Sequence, residues 1–199
     1  MAKRAMNEAS QGGTEVRDKI LDTASDLFYR HGVRAVGVDL VVEKAGVAKT
    51  SLYRHFGTKD DLVAAFLERE DRLFWETWDR VAKQHAADAQ AELHAQLARM
   101  GNRAGEPEYR GCPQINVAAE FPEPNHPARK VATAHKRELR RRLKLIAKRL
   151  NAADPDELAG QLAVLINGVC VSTPMLDRGE AASILTQAAD ALLAAQSRP

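Results

Sequence analysis

The chain is poor in the features that most often mark an enzyme or a secreted protein. It has two cysteines, Cys112 and Cys170. That is too few for a disulfide framework, and their separation fits no metal motif. A reducing, cytoplasmic location is expected. No HExxH, CxxC or serine–histidine–acid pattern occurs, and no glycine-rich loop that would cradle a phosphate. His85 and His94 are nine residues apart and do not share a helical face at metal-ligand spacing. Catalysis has no site to stand on, and no cofactor is expected. Aromatics make up only 5% of the residues. Strand signals are nearly missing: there is no run of alternating β-branched residues and no Asn-Gly hairpin. No apolar run of membrane-spanning length and no signal peptide stand out, so no membrane partner is expected. These absences leave an all-α protein.

What is present is a chain of 199 residues at 45% hydrophobic content, enough for a real core in one or two domains. Its most informative stretch is residues 38–59, VDLVVEKAGVAKTSLYRHFGTK. It reads as two short helices joined by a tight Ala45-Gly46-Val47 turn. Leu52 and Phe56 are four apart, so they share a helical face and can dock on a core. Lys49, Thr50, Ser51, Tyr53, Arg54 and His55 surround them with cations and hydroxyls. Those groups bind phosphates and base edges. A helix–turn–helix whose second helix is studded with donors reads DNA; the plainer alternative is an ordinary bundle with a tight turn.

The flanks agree. Val16, Ile20, Ala24, Leu27, Phe28 and His31 follow helical spacing, and Gly32 sits where that helix would end. Thr58 and Asp61 have the spacing of a capping box at the start of a fourth helix. In this setting the segment resembles the DNA-binding region of the TetR family of bacterial transcriptional regulators. The family's signatures appear as Leu52-Tyr53-Arg54-His55-Phe56 and as Thr58-Lys59-Asp60-Asp61-Leu62. The resemblance is specific over residues 16–66, and GCPQINVAAEFPEPNHPAR is similar to the middle of ligand-binding domains in one branch of the family. Two positions depart from the family pattern. Val36-Gly37 and Ala48 stand where many members carry a hydroxyl, so both helices lose a side-chain N-cap.

Beyond the reader, helices are expected over residues 59–83, 86–103, 114–121, 127–150, 156–173 and 180–196. Five of the eight prolines fall between 107 and 127 and mark turns. Residues 1–14 are polar and read as a disordered arm, in which Lys3 and Arg4 are available to brush DNA. Charge is uneven. Residues 128–149 hold ten Lys/Arg against the single Glu138. No aromatic interleaves them, so this helix reads as a solvated, salt-bridged face rather than a second nucleic-acid site. The acids expected opposite it are Asp60, Asp61, Glu68, Glu70, Asp71 and Asp79. Cys112 is conceivable as a redox sensor.

These observations divide the chain into an arm (1–14), a three-helix helix-turn-helix domain (15–58) and a helical regulatory domain (59–199), about nine helices in all. Lys49 and Thr50, at the start of the reader, are expected to meet bases. The resemblance implies phosphate contacts for Ser51, Tyr53, His55 and Lys59; Arg54 suits either role. The last two helices are more apolar than a small core needs. By pattern alone they suit a core or a subunit seam equally. The resemblance implies a homodimer there, through Leu162, Ile166, Val169, Ala188 and Leu192. It also implies a small-molecule inducer held by the regulatory domain, for which Phe74, Trp78, Leu97, Met100, Asn116, Phe121, His135 and Asn167 are the candidate liners. Trp75 lies off the main stripe and is expected to face solvent or a partner. The expected function is a homodimeric repressor released from a pseudo-palindromic operator by that inducer. The alternatives are a regulator without a small-molecule inducer, activating or gated by a protein, and an α-helical enzyme-like sensor using Cys112 and His135.

Overall fold

The computed structural model describes residues 2–177 and 179–196, with side-chain surroundings from residue 13 onward. The described residues are helical and contain no strand. Nine helices follow one another among them: α1 Ala2–His31, α2 Val38–Ala45, α3 Lys49–His55, α4 Lys59–Gln84, α5 Ala89–Ala104, α6 Pro113–Glu120, α7 Pro127–Arg149, α8 Pro155–Ser172 and α9 Glu180–Gln196. A 3-10 turn, Thr173–Met175, follows α8. Residues 2–14, expected as a disordered arm, continue the backbone of α1; Ala2, Ala5 and Ala9 are strong helix formers. The side chains of Lys3 and Arg4 lie outside the described residues.

The chain condenses into two compact units. One comprises residues up to 70 together with 113–132; the other comprises 71–112 and 133 onward. Helices α4 and α7 each contribute to both. The first unit therefore reaches past the helix-turn-helix. Leu62, Val63, Phe66 and Leu67 of α4, Val117 of α6, and Ala128 and Ala132 of α7 join Ile20, Ala24, Phe28, Val41, Leu52 and Phe56 in one core. Each large apolar side chain buried there stabilises the fold by about 1.5–3 kcal/mol.

In the second unit, α5 packs on α9 so closely that a Cβ on Gly101 would lie 2.3 Å from the Ala182 Cα. Only glycine permits that crossing. Asp154 caps α8 by accepting hydrogen bonds from the Asp156 and Glu157 N–H groups at 2.9 and 3.0 Å, with Pro155 in the first turn. Leu158, Leu162, Ile166 and Val169 then form one buried stripe along α8. Leu162, Ile166 and Val169, expected at a dimer seam, are buried in the core of this unit, because they share the helical face that meets α9 and α5; Leu192 of α9 packs against the same core and Ala188 is half-buried.

The apolar residues left outside include Val164, Val171, Met175 and Ile184, which are 70%, 58%, 80% and 40% exposed. The same helix corrects the expectation that no apolar run reaches membrane-spanning length. Residues 155–175 are long and apolar enough, at mean hydropathy 1.4, to cross a membrane by length and composition alone. A core face on one side and an exposed apolar stripe on the other give it that composition.

The basic residues that α7 contributes to the second unit are largely paired there, but not mainly with α4. Arg142 reaches Asp79 and Glu138, Lys144 reaches Asp156 at 2.5 Å, and Arg149 reaches the buried Glu92. Hydrogen bonds from Arg141 and then Arg142 hold the Glu138 carboxyl down at about 2, against the opposing effect of burial. Trp75 is half-buried. Its Nε1 donates to Asp71 at 2.7 Å, and the Arg142 guanidinium lies 4.4 Å from its ring centroid.

Candidate nucleic-acid interface

The reader helix α3 is short and stands on what surrounds it. Gly46 ends α2 in the left-handed region (φ 61°), and its N–H returns to the Glu43 and Val42 carbonyls. This lets the chain turn within three residues. The hydroxyl-free positions leave both helices uncapped: Gly37 and Ala48 precede α2 and α3 without a side-chain cap. Leu52 is fully buried and Phe56 nearly so, which fixes the inner face of α3. The Arg17 guanidinium covers the Phe56 ring at 5.0 Å. On the outer side Lys49, Thr50, Tyr53 and Arg54 are exposed, and Ser51 is half-buried. One helix thus offers two cations and two hydroxyls to solvent.

Three of the expected residues have partners or surroundings that qualify their roles. Lys49 Nζ lies 2.7 Å from Asp39 Oδ1. That hydrogen bond raises the lysine's pKa, so Lys49 is firmly charged but shared with an acid on α2. His55 Nε2 is shut away from solvent and has no hydrogen-bond partner, so this nitrogen is not offered to a phosphate. Lys59 turns inward. Its ammonium donates to the Val33 carbonyl at 2.7 Å. Burial pulls its pKa down, with Asp60 and Glu120 opposing. The capping box at α4 forms as expected: Asp61 accepts from Thr58 N at 3.0 Å, and Thr58 Oγ1 accepts from Asp61 N at 3.1 Å.

Glu120, at the end of α6, was not among the expected site residues. Its carboxylate accepts from Val33 N at 3.0 Å and from Arg34 N at 2.7 Å, across the turn between α1 and α2. Gly32, at φ 85°, makes room for it: a Cβ there would lie 3.2 Å from Glu120 Oε1. Arg34 also lies over the Phe121 ring at 5.5 Å. Glu120 and Lys59 therefore hold opposite edges of one peptide segment, the carboxylate taking its N–H groups and the ammonium its carbonyl. No sequence spacing reveals a partner more than eighty residues away. Asp39 was legible only as an acid in the first turn of α2.

The expected ligand residues do not all fall together. Asn116, which is exposed, and Phe121, which stacks on His126 with ring centroids 4.0 Å apart, belong to the first unit. Phe74, Trp78, Leu97, Met100, His135 and Asn167 belong to the second. There Phe74, Trp75, Trp78 and His135 form an aromatic cluster, with Phe74 and His135 centroids 4.9 Å apart. His135 Nδ1 lies 2.7 Å from Asp71 Oδ1. Arg99 covers Phe74 at 5.0 Å and keeps a buried Nε without a partner. Two open clefts of the second unit, about 420 and 280 Å³, are lined by none of the eight expected residues.

Comparison with known proteins places these features in context. A family model described as bacterial regulatory proteins, tetR family, matches residues 20–66. The HTH-type transcriptional activator FasR of Mycolicibacterium smegmatis is 42% identical over 55 residues, 28% of this chain and 25% of that protein. Across FasR and two regulators from Pseudomonas putida, ArpR and TtgR, the match spans a quarter to two fifths of the relatives' length. Solved structures match over most of the chain. SCO4454, a TetR-family transcriptional regulator from Streptomyces coelicolor, superposes with a TM-score of 0.87 at 25% identity, over 93% of this chain and 97% of that one. A putative TetR transcriptional regulator from Streptomyces avermitilis, sav143, superposes with a TM-score of 0.73 at 32% identity, over 88% and 98%.

Proposed function

Because this chain belongs to the TetR family of bacterial transcriptional regulators, we propose that it is a homodimeric DNA-binding regulator that a small molecule releases from its operator. The observation that carries the DNA reading is α3 itself. Leu52 and Phe56 fix its inner face, and Lys49, Thr50, Tyr53 and Arg54 are exposed on the other. In this reading Lys49 and Thr50, at the N-terminal end, meet base edges in the major groove, and Ser51, Tyr53 and Arg54 hold phosphates. Lys59 and His55 position the reader from within. Two readers related by a two-fold axis select a pseudo-palindromic operator.

The dimer reading draws on the outward faces of α8 and α9. Val164, Gly168 and Val171 recur at i, i+4 and i+7 on the exposed side of α8, and Gly168 has nothing within 4 Å of where a Cβ would be. An exposed glycine inside a helix costs about 1 kcal/mol relative to alanine. Close approach of a partner backbone gives that cost a purpose. Ile184 and Ala191 are exposed on α9 and extend the same apolar character.

A ligand in the second unit would act through α4, which both units share. It shifts the equilibrium only if it prefers the state that does not bind DNA. The relative named as an activator favours a second reading, in which the same reader recruits rather than blocks transcription. Selection of bound sequences from random duplex DNA tests the proposal. A palindromic consensus is expected. Recovery of no enriched motif, with the protein folded and dimeric, would sink it.

A further inference from the structure

We propose that Cys112 and Cys170 form a thiol–disulfide site, in which Cys112 reacts with a hydroperoxide and Cys170 closes the product to an intramolecular disulfide. Cys112 follows Gly111 in the segment that leads into α6, and Cys170 lies in the last turn of α8. Fifty-eight residues separate them in sequence, yet their sulfurs are hydrogen-bonded to one another within the second unit. Neither is held in a disulfide, and both residues are half-buried.

The surroundings distinguish the two sulfurs. Lys136 Nζ lies 3.5 Å from Cys112 Sγ and is anchored by Asn167 Oδ1 at 2.8 Å. A fixed ammonium beside a sulfur favours its thiolate. The hydrogen bond to Cys112, and then burial, push the Cys170 thiol up, while Tyr109 and Lys136 oppose. The ammonium thus favours a thiolate at Cys112, while the Cys112 contact and burial disfavour one at Cys170. That is the division of labour between an attacking thiolate and a resolving thiol.

The chemistry balances in two steps. The Cys112 thiolate attacks the outer oxygen of the hydroperoxide. An S–O bond forms, the O–O bond breaks, and the alkoxide or hydroxide leaves. Cys112 is then a sulfenic acid, oxidised by two electrons, and the peroxide is reduced by two. Cys170 next attacks the Cys112 sulfur. The S–S bond forms, the S–O bond breaks, and hydroxide leaves with the Cys170 proton as water. The product ties the segment before α6 to the end of α8. A dithiol reductant reverses it.

The test uses the whole chain, reduced, then treated with hydrogen peroxide, alkylated with N-ethylmaleimide and weighed intact. The expected product is lighter by two hydrogens, carries no maleimide, yields a linked Cys112–Cys170 peptide on digestion, and reverts with dithiothreitol. Cys170→Ser is expected to stop at a sulfenic acid on Cys112 that dimedone traps, and Cys112→Ser to give neither product. Lys136→Met is expected to slow the reaction severalfold, because less Cys112 is thiolate without the neighbouring ammonium, and Lys136→Arg to restore most of the rate. Two thiols that still take maleimide after excess peroxide, or a disulfide only between subunits, would overturn the proposal. Equal rates for the wild type and Lys136→Met would remove Lys136 from it. None of these measurements involves DNA, so their outcome is independent of the operator reading.

Discussion

Asp39 lies 2.7 Å from the one lysine at the start of the reader helix, on the surface proposed to face DNA. A carboxylate there repels phosphate and competes with bases for the Lys49 ammonium. Asp39→Asn keeps the shape and removes the charge. Operator binding is expected to tighten and to become more salt-dependent, since a negative charge facing the phosphates is removed and Lys49 is freed to meet a base edge. Affinity measured across a salt series checks this. An unchanged or weaker affinity in the variant would mean that Asp39 orients Lys49 rather than restrains it. The same scale shows what the sequence leaves hidden. Lys49 and Lys59 look alike in composition. One is exposed beside an acid, while the other is turned inward to the Val33 carbonyl, a difference set by where α4 begins relative to the α1–α2 turn.

Helix α8 shows how far periodicity carries at the scale of elements. Its extent, its cap at Asp154 and its all-round apolar character follow from spacing and from Pro155. Which apolar stripe faces inward does not, because a helix without a polar face has no sequence marker for its core side. Leu162, Ile166 and Val169 belong inside; Val164 and Val171 are outside. This yields a paired prediction. Val164→Asp and Val171→Asp are expected to give a folded monomer, with full helicity by circular dichroism and half the mass by light scattering. Ile166→Asp is expected to unfold the second unit, because it buries an unpaired charge. If Val164→Asp and Val171→Asp both leave a dimer of normal stability, the subunits meet elsewhere. The capping box, the Gly46 turn and the inward Leu52/Phe56 pair were all legible, since each depends on residues within four positions of one another. The Glu120 clamp was not, because it joins residues far apart in sequence.

For the molecule as a whole, His135 links stability to pH. It is 5% exposed, and burial pushes its pKa below the ordinary value of about 6.5, aided by the Lys136 charge. The hydrogen bond and charge of Asp71, and the Cys112 sulfur, oppose that shift without reversing it. As pH falls below about 6.5, the unfolded chain binds a proton that the native protein refuses. Stability is therefore lost as pH drops from about 6.5 towards the lowered native value, and this contribution is fully present above about 6.5. Thermal melts between about pH 7.5 and 5.5 are expected to show a steeper loss in the wild type than in His135→Gln, which has no proton to take. Parallel curves for the two proteins would refute the assignment.

The clamp at Glu120 has a consequence for anyone who would transplant this reader. A unit assembled from residues up to 70 and from 113–132 is interleaved with its neighbour along the chain. It is not a detachable head. A piece ending at residue 58 or 70 leaves the Val33 and Arg34 N–H groups without their carboxylate and strips Val117, Ala128 and Ala132 from the shared core. The N–H of the buried Val33, left unpaired, costs about 1–3 kcal/mol, and the lost burial of Val117 about 1.5–3 kcal/mol more. Such a piece is expected to melt broadly and well below the intact protein, and a synthetic peptide of residues 113–132 added in trans to sharpen its transition. A chimera that borrows this DNA specificity must therefore import two separate stretches of sequence, and the second is the one that carries no recognisable reader motif.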